Sequence, residues 1–180
     1  MNQDAIKQLF AMRHSPLRNY IVPGLTSWMI MDNGDSGKVR MFDCSREQQE
    51  FITPHSHRFD FTACVLRGSV ENTLWVETDD PNADRYFVTR TQYLGKPGKY
   101  KRIEIGVARF ITDTLTHSEG EWYGMRHSDI HSIKFAKGTV VLFIENRTIS
   151  TYTNVLEPWV NDERIPTMKT EPWMFKKDAA

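Results

Sequence analysis

The stretch "ITPHSHRFDF", residues 52–61, gathers the side chains best suited to chemistry in this 180-residue chain. His55 and His57 are separated by one residue. Side chains alternate along an extended backbone, so both imidazoles leave the same face and their ring nitrogens can converge on one ion. Asp60 follows three positions later and offers a carboxylate oxygen. Two imidazoles and a carboxylate form a donor set that suits iron(II) with open coordination positions, and also zinc or manganese. On a regular strand Asp60 has the parity opposite to His57, so its participation requires a bend or bulge.

A further imidazole must come from distant sequence. His131, in "DIHSIKF", begins an apparent strand that leads into "GTVVLFIEN", whereas His127 lies four residues earlier among polar residues. His131 is the expected partner, and the metal set read from the residues is His55, His57, Asp60 and His131. His14 reads as a polar helix end and His117 as a solvated residue of the loop "THSEGE".

The elements that must position these groups are mostly strands. The opening "NQDAIKQLFAMRH" places Ile6, Leu9 and Phe10 at helical spacing behind Asn2 or Asp4 as a cap, which predicts one short helix. From Pro23 onward, short runs rich in Val, Ile, Thr and aromatic residues alternate with turn clusters such as "GDSG", "DDPNAD" and "GKPGK". Strands are expected at 25–32, 38–45, 59–68, 69–78, 85–94, 101–110, 130–135, 139–146 and 150–156. The pattern predicts an all-β sandwich or barrel. It divides into a helical segment over 1–22, a barrel over 23–157, and an extended tail over 158–180 strapped down by Trp173 and Phe175.

Two segments carry a family resemblance. "PHSHRFDFTACVLRG", residues 54–68, resembles the first motif of the cupin superfamily, and "HSDIHSIKFAKGTVVLFIEN", residues 127–146, resembles the second. The likeness is to small cupins whose first motif reads HxHxxDF. In the most familiar cupin pattern a glutamate stands where this chain has Phe61 or Thr62; here Asp60 takes the acidic place. The resemblance implies a single jelly-roll barrel, a double-stranded β-helix, with a divalent metal, iron(II) first and zinc, manganese or nickel as alternatives. It also implies an iron dioxygenase or hydroxylase acting on a small molecule. Two other readings share the barrel: a sugar or sugar-nucleotide isomerase or epimerase, and a non-catalytic module that binds a small ligand.

Inward-facing residues of such a barrel line one pocket. Tyr123, Glu71 and Arg67 are the expected catalytic side chains, with Arg102, Glu104 and Arg109 as further candidates. Tyr and Glu carry protons, and Arg clamps anions. The cluster "KPGKYKR", with Lys96, Lys99, Lys101 and Arg102, reads first as a solvated hairpin, with the drawing in of an anionic substrate or a nucleotide as the alternative.

Composition narrows the partners. Lys plus Arg and Asp plus Glu are both 23, so the net charge is zero and no overall field favours nucleic acid or an anionic membrane. No apolar window is long enough to span a bilayer, and the polar opening lacks a signal-peptide core, which points to a cytoplasmic protein. Cys44 and Cys64 are then expected as buried thiols. Edge strands of such barrels invite pairing, so a homodimer is expected.

Overall fold

The structure is a computed structural model that describes residues 3–48, 51–95 and 99–165. Helix α1 spans Gln3–Ala11. The strands are β1 His14–Leu17, β2 Leu25–Asp32, β3 Lys38–Cys44, β4 Phe59–Arg67, β5 Ser69–Glu77, β6 Asp84–Tyr93, β7 Tyr100–Ser118, β8 Trp122–Met125, β9 Ile130–Phe135, β10 Val140–Thr148, β11 Tyr152–Val160 and β12 Glu163–Arg164. No helix among the described residues is long and apolar enough to cross a membrane.

The strands form two antiparallel sheets, ordered β1-β2-β3-β10-β4-β8 and β12-β11-β6-β7-β5-β9. This is the expected all-β architecture, two facing antiparallel sheets with one short N-terminal helix. All nine expected strands are present. β7 runs eight residues beyond its expected end at Phe110, pairing with β6 over its first half and with β5 over its second. His117 therefore lies on a strand opposite Val70, not in a loop. β8 also arises where no strand was expected, paired with β4. β11 continues to Val160 and pairs with β12, so the sheet extends past residue 157. Lys96 of the basic cluster, and Trp173 and Phe175 of the expected strap, lie outside the described residues.

Alternation explains the layering. On β10, Val141 and Phe143 face the space between the sheets with Phe61, Ala63 and Val65 of β4. Val140 and Leu142 face outward with Met41, Cys64 and Leu66, where Leu9 and Phe10 of α1 cover them. A strand buried on both faces reads as a continuous apolar run, which is why "TVVLFI" shows no alternation in sequence. Cys44 and Cys64 are both buried and free, on opposite faces of the first sheet.

Two of the places where the chain changes sheet are interlocked tight corners. Gly68 alone joins β4 of the first sheet to β5 of the second, at φ +79°. The turn between β9 and β10 makes the reverse crossing, and its Thr139 clasps the first corner. Thr139 Oγ1 accepts from the Ser69 amide at 3.2 Å and donates to the Ser69 carbonyl at 2.9 Å. A Cβ at position 68 would lie 2.6 Å from Thr139 Oγ1 and 2.9 Å from its Cα. Gly68→Ala should therefore destabilise the fold by about 2 kcal/mol or more, combining left-handed backbone strain with a steric clash. A fall in the urea midpoint checks this, and an unchanged midpoint contradicts it.

Candidate metal centre

His55 and His57 sit on the segment between β3 and β4, which is short of regular strand but not loose. The His55 amide donates to the His131 carbonyl at 2.9 Å, and the His131 amide returns a bond to His55 at 3.0 Å. On its other side, the Ser56 amide donates to the Asn154 carbonyl and the Leu156 amide donates to the Pro54 carbonyl, so β11 holds the segment too. The His57 amide donates to the His127 carbonyl at 3.2 Å. This double stitching gives the HxH segment strand-like alternation and turns both imidazoles toward the pocket beside His131.

One ring nitrogen from each of His55, His57 and His131 lies within 4.8 Å of the others. His131 is buried, and the other two are partly exposed. Two outer partners set the tautomers. His55 Nδ1 donates to the Thr53 carbonyl at 2.8 Å. His131 Nδ1 donates to Asn72 Oδ1 at 2.7 Å, and the Asn72 amide nitrogen faces Met125 Sδ at 3.6 Å, which orients the side chain. Each of these imidazoles thus keeps Nε2 as its lone-pair nitrogen, the arrangement in which an outer acceptor orients a metal-ligating histidine.

His57 Nε2 lies 2.9 Å from His131 Nε2. Either a single proton is shared there or a cation takes its place. Burial among apolar rings lowers the pKa of all three histidines, and His57 and His131 fall well below the usual 6.5, with the neighbouring imidazoles adding to the effect. Neutral, converging imidazoles are the state a divalent ion requires. The residues present fit such an ion.

The carboxylate of the expected set is elsewhere. Asp60 Oδ1 accepts from the His127 amide at 2.7 Å and from His127 Nδ1 at 3.0 Å, and these bonds lower its pKa. It is the second residue of β4, and the register shift of β10 opposite it, between Glu145 and Thr148, does not bring its carboxylate to the triad. The structure therefore brings together three imidazoles, not two imidazoles and a carboxylate. Phe61, next after Asp60, packs its ring 5.0 Å from His57 and 5.6 Å from His131.

The triad opens into a cavity of about 80 Å³ between the sheets. Its walls are largely carbon: Phe42, Phe59, Phe61, Phe135 and Phe143 line it, with aliphatic residues between them. Tyr123 lines it too, stacked on His117 with ring centroids 4.4 Å apart, and burial raises its pKa so that the phenol stays protonated. Glu71 is on the opposite face of β5, paired with Lys134 at 3.8 Å. Arg67 donates to the Gly138 carbonyl at the far end of β4. Arg102, Glu104 and Arg109 lie on β7, outside the lining. Two pocket groups were missed by the sequence reading. Glu145 ends the apolar run of β10 and pairs through Oε1 with Arg40 Nε at 2.7 Å, and Tyr20 stacks on Phe42, its pKa pushed up to about 12 by burial.

No protein-family model matches the chain, and no curated protein matches it in sequence. Solved structures to which it is similar include KdgF from Halomonas sp., at 15% identity over 74% of this chain and 89% of that one, with a TM-score of 0.40. Hydroxypropylphosphonic acid epoxidase from S. wedmorenis is 15% identical over 76% of this chain and 56% of its own, with a TM-score of 0.40. Hydroquinone 1,2-dioxygenase from Sphingomonas sp. TTNP3 is 10% identical over 68% and 65%, also at 0.40. These likenesses are too distant to transfer an activity or a substrate. The two facing antiparallel sheets and the histidine triad between them define the chain as an all-β protein with a candidate metal centre.

Two outcomes follow. In metal-free protein the unfolded histidines take up protons near pH 6.5 and the folded ones only at lower pH. Their contribution to stability is complete above pH 6.5 and is lost as pH falls toward the folded values, by up to about 1.4 kcal/mol per pH unit for each histidine. Urea titrations between pH 7 and about 5 should show this slope, shallower in His57→Phe. Asn72→Leu, which removes the acceptor orienting His131, should weaken zinc binding by roughly 10- to 100-fold in competition titrations.

Proposed function

We propose that this chain is a metal-dependent cupin enzyme in which His55, His57 and His131 hold one divalent ion and the apolar cavity beside them receives a small substrate. The observation that carries the reading is the pair of fixed tautomers. Thr53 and Asn72 each take an Nδ1 proton, so that Nε2 of His55 and of His131 presents a lone pair within reach of His57. Isolated polar histidines have no need of such partners, and a buried cluster of three neutral imidazoles is costly unless something draws on their lone pairs.

Iron(II) is the ion we favour, with an oxygenase reaction, dioxygenation or hydroxylation, as the chemistry. A bound ion of this kind supplies Lewis acidity, open coordination positions and redox chemistry with O₂. The chain's own residues do the rest. The phenylalanine walls exclude water and hold an apolar substrate against the histidine end. Tyr123 keeps its proton within the pocket and is positioned to donate it in a hydrogen bond to a substrate oxygen. Glu71 and Arg67, expected at first as catalytic partners, face away from the pocket and have no place in this scheme.

Elemental analysis of the untagged protein tests the proposal. About one equivalent of a divalent metal should co-purify or be taken up on reconstitution, and His57→Ala should lose it while keeping its fold by circular dichroism. Protein that takes up no ion at neutral pH, or a His57→Ala variant that binds as tightly as the parent, refutes the metal centre.

A further inference from the structure

The cavity walls restrict what the histidines are presented with. Among the described residues that line it, Glu145 is the only charged side chain, and no lysine or arginine is present. Glu145 and Arg40 are both 11% exposed in their side chains, and the guanidinium takes Oε1 while its Nη1 reaches Ser27 at 3.4 Å. The ion pair is thus nearly neutral overall, with the carboxylate, not the guanidinium, as the member that lines the pocket. The basic residues Lys101 and Arg102 of the "KPGKYKR" cluster are exposed on β7 and outside the lining.

These walls are selective by simple electrostatics. A carboxylate or phosphate in the body of the pocket would give up its water, find no guanidinium fork or ammonium, and meet a like charge at Glu145. A sugar would need a hydrogen-bond partner for each hydroxyl, and the walls are mostly phenylalanine, isoleucine and leucine. The interior space of about 80 Å³ is roughly half the ~150 Å³ cavity that takes up benzene, and the pocket is open on one side, so a ligand a little larger than benzene enters in part while the bulk of a sugar nucleotide stays outside. An apolar ring or branched alkyl group meets none of these costs. One oxygen head group can be received at the histidine end.

We infer that the pocket takes a compact, apolar molecule with a single hydroxyl head and no second charge, and that Glu145 is the residue that excludes carboxylated and phosphorylated analogues. The substrate class rests on the metal-enzyme reading for its orientation, with the head at the histidines. The exclusion by Glu145 rests on the walls alone. It stands against the anionic substrate that the basic cluster left open.

The experiment compares two ligands of nearly equal shape, 4-ethylphenol and 4-hydroxyphenylacetate, by calorimetry, first on metal-free protein, where no ion can capture the carboxylate and the exclusion is read, and then on a zinc-reconstituted sample whose metal content has been measured. 4-Ethylphenol should bind at least about tenfold more tightly than the carboxylate, as a like charge in a desolvated pocket demands. Glu145→Gln should bring 4-hydroxyphenylacetate up by about tenfold, because the repulsion goes and the Arg40 charge is uncovered, while 4-ethylphenol changes less than about threefold. Should Glu145→Gln fail to fold, the paired variant Arg40→Met with Glu145→Leu leaves no lone charge and should still gain affinity for the carboxylate. Equal binding of the two ligands by the unaltered protein, binding of neither, or no gain in the folded variant overturns the inference. Absence of zinc from a reconstituted sample that still prefers 4-ethylphenol would instead count against the metal centre and leave the selectivity standing.

Discussion

The reciprocal backbone bonds between His55 and His131 are the contact on which the centre depends. A side-chain cluster built from residues 74 apart, as His57 and His131 are, needs its two backbones held at a set distance and with matching faces. Pairing the HxH segment with β9 supplies both at once, since paired residues of an antiparallel bridge point the same way. The same segment bonds to β11 on its other side, so the ligands ride on backbone that is tied on two flanks. Such support confers the rotamer and register precision that metal sites need.

Around that anchor, polarity is arranged by depth. Thr53 and Asn72 satisfy the outer imidazole nitrogens, while the inner ones face rings and aliphatic side chains. Phe61 packs against two of the three histidines from a position where a carboxylate would have added charge. Three neutral donors leave the full charge of a divalent ion uncompensated, which favours a negatively polarised oxygen as the next ligand. Glu145 and Tyr123 then shape the space in which that ligand's body lies.

Much of this was legible in the sequence because it follows from local periodicity. A spacing of two put His55 and His57 on one face, parity set Asp60 against His57, and the apolar run after His131 marked a strand buried on both faces. What escaped was tertiary. Nothing near Asn72 in sequence shows that its amide meets His131, and Glu145 reads as the polar end of a strand until Arg40 is placed beside it. β7 was cut short because "ITDTLTHS" alternates exposed Ile111 and Leu115 with threonines, a pattern without the buried face that normally announces a strand. Tyr123 was picked out by residue type alone. Glu71 and Arg67 were chosen for the same reason, and strand pairing turned them elsewhere.

The two corners at Gly68 and Thr139 sit at the end of β4 and β9 opposite the histidines. At the other end the chain also crosses between the sheets, from β8 to β9 and from β10 to β11, and the HxH segment is bonded to β9 and β11. The barrel is thus closed at both ends. Damage at the Gly68 clasp would cost stability, while the spacing of His57 and His131, set by backbone bonds at their own end, stays as it is.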